Sequence, residues 1–118
     1  MKIPTPDFLS QKLAGYPESA LRAGHAFSAA PSVGTLDPFL REILVFHLPS
    51  SAPRAPDWEP TASLKMDVGL DSMGIAECVF LLEDLFDVSI SNEQLLQLEN
   101  YQELLTFLSA LVAEAAST

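Results

Sequence analysis

The sequence predicts an all-α fold: a four-helix bundle with three longer helices, one short helix and a long first loop. Three observations predict it. Apolar residues recur at helical spacing in segments after residue 36. Polar residues able to cap a helix stand before these segments, two of them with Gln94 or Glu103 at the third helical position. Pro49, Pro53, Pro56 and Pro60 crowd the stretch between the first and second segments, which no helix would survive.

Residues 1–35 are punctuated by Pro4, Pro6, Pro17, Pro31, Gly15, Gly24 and Gly34. Short helical turns are expected after Asp7 and Pro17, each too short to stand alone in water. The segment is therefore read as an N-terminal extension, partly ordered at best and dispensable for the bundle, with the domain spanning 36–118. The first helix is "LDPFLREILVFHL", with Asp37 as its cap and Pro38 in its first turn. Phe39, Leu40, Ile43, Leu44 and His47 share its buried face. His47 falls in the last turn, where imidazole suits free carbonyls and the negative dipole end.

A long Pro-stiffened loop over 49–61 follows, with Trp58 and Leu64 as anchors on the core. The second helix runs from Ser72 to Phe86. Ser91 and Gln94 make a capping box for the short third helix, and Asn100 and Glu103 resemble one before the last. There Leu104, Leu105, Leu108, Leu111 and Val112 form an apolar stripe.

Composition excludes several functions. At 118 residues and 48% apolar, the chain suits one small domain with a single core. No apolar run reaches the ~20 residues of a bilayer span. The N-terminus resembles neither a secretion signal nor an organelle presequence, so a cytoplasmic location is expected. Cys78 is the only cysteine, and His25 and His47 form no ligand-spaced motif, so neither a disulfide nor a metal site is expected. Residues 1–36 carry a net charge of +1 and 37–65 carry −1, while Met66–Thr118 holds ten acids and no Lys or Arg. Nucleic acid and anionic membrane are poor partners for that half. The plain reading of such a charge run is solubility, and the sharper one is a basic partner surface.

Stepping about 100° per residue divides the second helix into two arcs. Ile75, Cys78, Val79, Leu82, Leu85 and Phe86 form the core side, where Cys78 acts as a small hydrophobe. Ser72, Glu77, Glu83 and Asp84 lie outside, together with Met73, Ala76 and Phe80. Exposed apolar groups among carboxylates provide what a docking surface needs, unless Met73 and Phe80 fold over the edge of the core. Ser72 sits where free N–H groups and the positive dipole end converge, a hospitable place for a phosphate ester. For a serine at a helix start, the plain alternative is a cap.

"GLDSM" followed by "GIAECVFLLEDLFDVSISNEQLLQLENYQELLTFL" closely resembles the acyl carrier protein family, whose Asp-Ser-Leu motif opens an acidic second helix. The resemblance is specific from about Thr61 to Leu108, extends plausibly back to Asp37, and leaves residues 1–35 uncovered. It implies a bundle of carrier-protein type and a covalent 4′-phosphopantetheine on Ser72, attached by a phosphopantetheinyl transferase from coenzyme A. Asp71 would support that attachment by helping to position the transferase's metal. Met73, Ala76 and Phe80 fall on the family's apolar docking positions, and Glu77, Glu83 and Asp84 on its acidic ones. Partners would be acyl-loading and acyl-processing enzymes with basic docking surfaces, meeting a monomeric carrier that is not itself an enzyme. Gly74 departs from the polar residue usual there and is expected to weaken the helix start by up to ~1 kcal/mol against Ala.

The cargo implied is an acyl group held as a thioester, in fatty-acid, polyketide or related specialised biosynthesis. A peptidyl or aryl carrier of a nonribosomal peptide pathway is the near alternative, and an unmodified adaptor with the same fold is the alternative of another class. A hydrolase using Ser72 lacks the Gly-x-Ser-x-Gly elbow and the triad order.

Overall fold

The computed structural model describes residues 2–49 and 56–116, the last two of them for their backbone alone. Six helices follow one another: α1 (Pro6–Lys12), α2 (Glu18–Ala29), α3 (Val33–Phe46), α4 (Ser72–Phe86), α5 (Asn92–Leu96) and α6 (Tyr101–Ala116). Among the described residues there is no strand, only an isolated bridge between Ser63 and Asn100. All four helices expected after residue 36 are present, and two more precede them.

The first two helices use the prolines and glycines of the N-terminal segment as punctuation. Pro6 opens α1 behind Thr5, whose hydroxyl accepts a hydrogen bond from the Phe8 N–H. Pro17 is the N-cap of α2, and Pro31 lies between α2 and α3. Each stands at a helix boundary, where its missing N–H or fixed φ does little harm. Inside α2, Gly24 makes a close approach possible: a Cβ there would stand 3.0 Å from the Phe39 ring.

The expectation of a partly ordered extension therefore differs from the structure. Leu9, Leu13, Ala20 and Phe27 are buried to within a few per cent, and α2 runs along α3 while α1 contacts both α2 and α4. The segment is marginal alone, yet its apolar residues gain the burial that local propensity cannot supply.

Helix α3 starts before the expected cap. Ser32 is the N-cap and forms a reciprocal capping box with Thr35, with hydrogen bonds of 3.2 and 3.1 Å. Pro38 consequently lies inside the helix, where it forgoes one backbone hydrogen bond. Asp37 does not cap. It accepts from Arg41 Nε at 2.8 Å and from the Tyr101 hydroxyl of α6. The Arg41 guanidinium stacks 4.6 Å from the Tyr101 ring and 5.3 Å from the Trp58 ring, and its Nη1 donates to the carbonyls of Pro56 and Trp58. One arginine thus ties α3, α6 and the end of the proline-rich segment together. Residues 50–55 of that segment lie outside the described residues.

The remaining approach to α4 is nonhelical and held by backbone bonds. Leu64 N–H donates to the Glu99 carbonyl at 3.0 Å, and Tyr101 N–H to that of Ala62 at 2.9 Å. Leu64 and Leu70 are buried, so Leu64 is the expected anchor; Trp58 is half-buried against Tyr101. Both expected capping boxes form. Ser91 pairs with Gln94, and Asn100 with Glu103 through bonds of 2.9 and 3.1 Å.

Candidate functional site

The N-terminus of α4 is built by Asp71, not by Ser72. Asp71 is extended, and its Oδ1 accepts the Gly74 N–H at 2.7 Å. The capping role considered for Ser72 thus belongs to its neighbour. Ser72 is the first helical residue, exposed, and its hydroxyl has no hydrogen-bond partner among the described residues. First-turn N–H groups lack helical acceptors, so the end carries partial positive charge beside that hydroxyl.

Gly74 fixes where this end sits. A Cβ on it would come within 2.6 Å of the His47 backbone carbonyl, closer than real Cβ atoms approach. The missing side chain lets the start of α4 press against the end of α3. Glycine's helix penalty is real, but the expected gain from alanine is overturned by this contact. Gly74→Ala should cost about 1–3 kcal/mol, as overpacking does. The thermal midpoint should fall by several degrees; an unchanged or raised midpoint would show that α3 and α4 separate freely.

His47 caps α3 and braces the same corner. Its Nε2 lies 2.5 Å from the Tyr16 hydroxyl, and its Nδ1 lies 3.7 Å from Glu77 Oε1. The neutral tautomer that fits accepts from Tyr16 at Nε2 and turns Nδ1–H towards Glu77. Burial lowers the His47 pKa below its ordinary 6.5, and Glu77 offsets this only in part. As pH falls, the unfolded chain takes up this proton before the folded one. The contribution of neutral His47 is complete above about pH 6.5 and declines towards its folded pKa. Between pH 7 and 5.5 the urea midpoint should fall further for wild type than for His47→Gln; parallel curves would remove His47 from this role.

The two arcs of α4 separate as expected. Cys78, Leu82, Leu85 and Phe86 are buried, while Ile75 and Val79 are half-buried. Burial, with Glu77 adding to it, pushes the Cys78 thiol up to about 12, so it is held as an inert thiol. On the outer arc, Met73 is 71% and Phe80 68% exposed, so neither folds over the core edge; Ala76 is exposed between them. The acids differ from one another. Glu83 is half-buried and accepts the Ile90 N–H at 2.8 Å, while Asp84 pairs with Lys12 of α1 at 3.3 Å.

Beside Ser72 opens a groove of about 570 Å³ between α4, α5 and the preceding loop. Leu64, Met66, Ile75, Leu95 and Leu98 line it, with Ser72 among its walls. Sequence reasoning missed both this groove and the contribution of Tyr16. The periodicity of α4 alone could not find them, because they depend on where α5 and the N-terminal segment pack.

An exposed, uncommitted serine at a helix N-terminus beside an apolar groove suits a carrier of small groups. The site offers a free hydroxyl for a phosphodiester, N–H groups near its charge and room beside it for an apolar chain, so its residues fit a phosphopantetheine group. The family model described as "Phosphopantetheine attachment site" matches residues 53–108. An acyl carrier protein of Syntrophus aciditrophicus (strain SB) is 36% identical over 74 residues, covering 63% of this chain and 89% of that protein. No solved structure gives a significant match. The chain belongs to the acyl carrier protein family. It is a carrier and not an enzyme, and 4′-phosphopantetheine is its prosthetic group. Among the described residues no helix is long and apolar enough to cross a membrane.

Proposed function

We propose that Ser72 carries the 4′-phosphopantetheine and that the protein presents an acyl group to partner enzymes of fatty-acid, polyketide or related specialised biosynthesis. The observation that carries this reading is the free hydroxyl of Ser72 at the wall of an apolar groove of about 570 Å³. When bound, the arm supplies a flexible thiol that holds the cargo as a thioester. The chain's own residues do the rest. Asp71 caps α4 and so holds the first turn that carries Ser72, and in this reading it also supports attachment by the transferase. Ile75, Leu95 and Leu98 offer an aliphatic cargo a place away from water, a preference that a charged aminoacyl group does not share.

In this reading the outer arc of α4 meets the partners. Met73, Ala76 and Phe80 supply apolar contact, and Glu77, Glu83 and Asp84 the charge that steers basic surfaces. The carrier acts as a cytoplasmic monomer. The test is intact mass after incubation with coenzyme A and a broad-specificity phosphopantetheinyl transferase. A gain of one phosphopantetheinyl group, able to accept an acyl group that hydroxylamine releases, supports the proposal. No gain with several transferases overturns it in favour of an unmodified adaptor.

A further inference from the structure

The docking face proposed for α4 is already partly engaged by the protein's own N-terminus. Helix α1 packs on α4, and the Lys2 N–H donates to the Phe86 carbonyl at 2.7 Å. Between this segment and the end of α4 lies a cavity of about 280 Å³ walled by Ile3, Phe8, Asp84 and Asp87, among others. At its edge Lys12 reaches Asp84 Oδ2 at 3.3 Å, with its ammonium also 5.6 Å from the Phe8 ring centroid.

From Met66 onward the sequence offers ten acids and no cation, so Lys12 supplies from elsewhere in the chain the charge that a basic partner would bring. Glu83 is turned inward to the Ile90 N–H. The two acids at the C-terminal half of the face are thus each engaged by a group of the chain itself, although Asp84 stays accessible. The other half of the face, Met73, Ala76 and Phe80 with Glu77, remains exposed.

We propose that α1 acts as a built-in competitor for the C-terminal half of the docking face. Productive partners are then protein surfaces that present an apolar pocket to Met73 and Phe80, with their cations near Glu77. Surfaces whose cations must reach Asp84 are disfavoured. This inference rests on the proposed docking role of α4. The Lys12–Asp84 pair is exposed, with side chains 37% and 62% accessible, so the discrimination it provides is modest and depends on salt.

The probe is a synthetic amphipathic helix of alternating leucine and lysine turns, titrated into the full chain at low salt and followed by backbone amide shifts. Ser72→Ala is used throughout, so the result does not depend on whether the serine is modified. The parent should show shifts over residues 73–80, with little change at 83–87. Lys12→Ala should bind about two- to five-fold more tightly, with shifts extending to Asp84 and a steeper salt dependence. In the Asp84→Asn background, Lys12→Ala should give no further gain in affinity, because the pair it would release is already broken. Circular dichroism on each variant excludes unfolding. An equal affinity and footprint with and without Lys12, or an equal loss from Asp84→Asn in both backgrounds, overturns the competitor role. A probe that leaves the α4 amides unshifted overturns the docking reading on which it rests.

Discussion

Replacing Phe27 with alanine is expected to cost about 3–5 kcal/mol, the range for truncating a fully buried aromatic ring. Phe27 is completely buried in α2. Its ring stacks at 6.0 Å on Phe39 of α3 and meets Phe86 of α4 edge-on at 5.7 Å. It therefore joins the N-terminal helices to α3 and α4 of the carrier unit. A small domain has about 5–15 kcal/mol of stability in total, so the loss is a large share of it. The thermal midpoint should fall by about 10–25 °C. Deleting residues 1–30 removes Leu9, Leu13 and Phe27 together, and should leave a chain without a sharp thermal transition. If Phe27→Ala melts within 2 °C of wild type, α1 and α2 add nothing to the core, and the sequence's division at residue 35 describes the protein better than its packing does.

The contrast between the two parts of the chain shows what a sequence makes legible. Helix α4 could be read because its start, its apolar arc and its end are all local. Asp71 caps it, Cys78, Leu82 and Phe86 recur at helical spacing, and Asp87 closes it in the left-handed region at φ 52°. The boxes at Ser91 and Asn100 were equally local. Helices α1 and α2 are short, and Phe27 of α2 packs on Phe39 and Phe86, distant residues whose proximity no window of sequence contains. Prolines at 6, 17 and 31 suggested short turns in a partly ordered extension, although each marks a helix boundary. Asp37 misled for the opposite reason. An Asp-Pro pair is a strong start signal, but Ser32 and Thr35 take that role, and Asp37 instead pairs with Arg41 and Tyr101.

At the site, the residues were legible but their relations were not. Exposure of Ser72, Met73 and Phe80 followed from the helical wheel. Gly74 looked like a weakness because propensity counts only the helix in which a residue lies; its reason is the His47 carbonyl of another helix. The acids at 77, 83 and 84 looked equivalent on the wheel. Tertiary structure gives each a different neighbour: the imidazole of His47, the N–H of Ile90 and the ammonium of Lys12.

Ser72→Ala is expected to abolish phosphopantetheinylation while leaving the bundle intact. The hydroxyl is exposed and makes no hydrogen bond among the described residues, and Asp71 does the capping, so stability should change by no more than about 0.5 kcal/mol. Asp71→Ala should behave differently. It leaves the Gly74 N–H without its acceptor, costs about 1 kcal/mol, and slows attachment even though the serine remains. Thiol counting separates the arm from the protein's own sulfur. Under native conditions Cys78, with its pKa pushed up to about 12 by burial, should resist a maleimide. The unmodified chain should therefore take up almost no reagent, and the modified chain one equivalent. Ser72→Ala should take up none, even after incubation with coenzyme A and transferase. If Ser72→Ala gains the same mass as wild type, the attachment site lies elsewhere, and the groove beside α4 loses its connection to the arm.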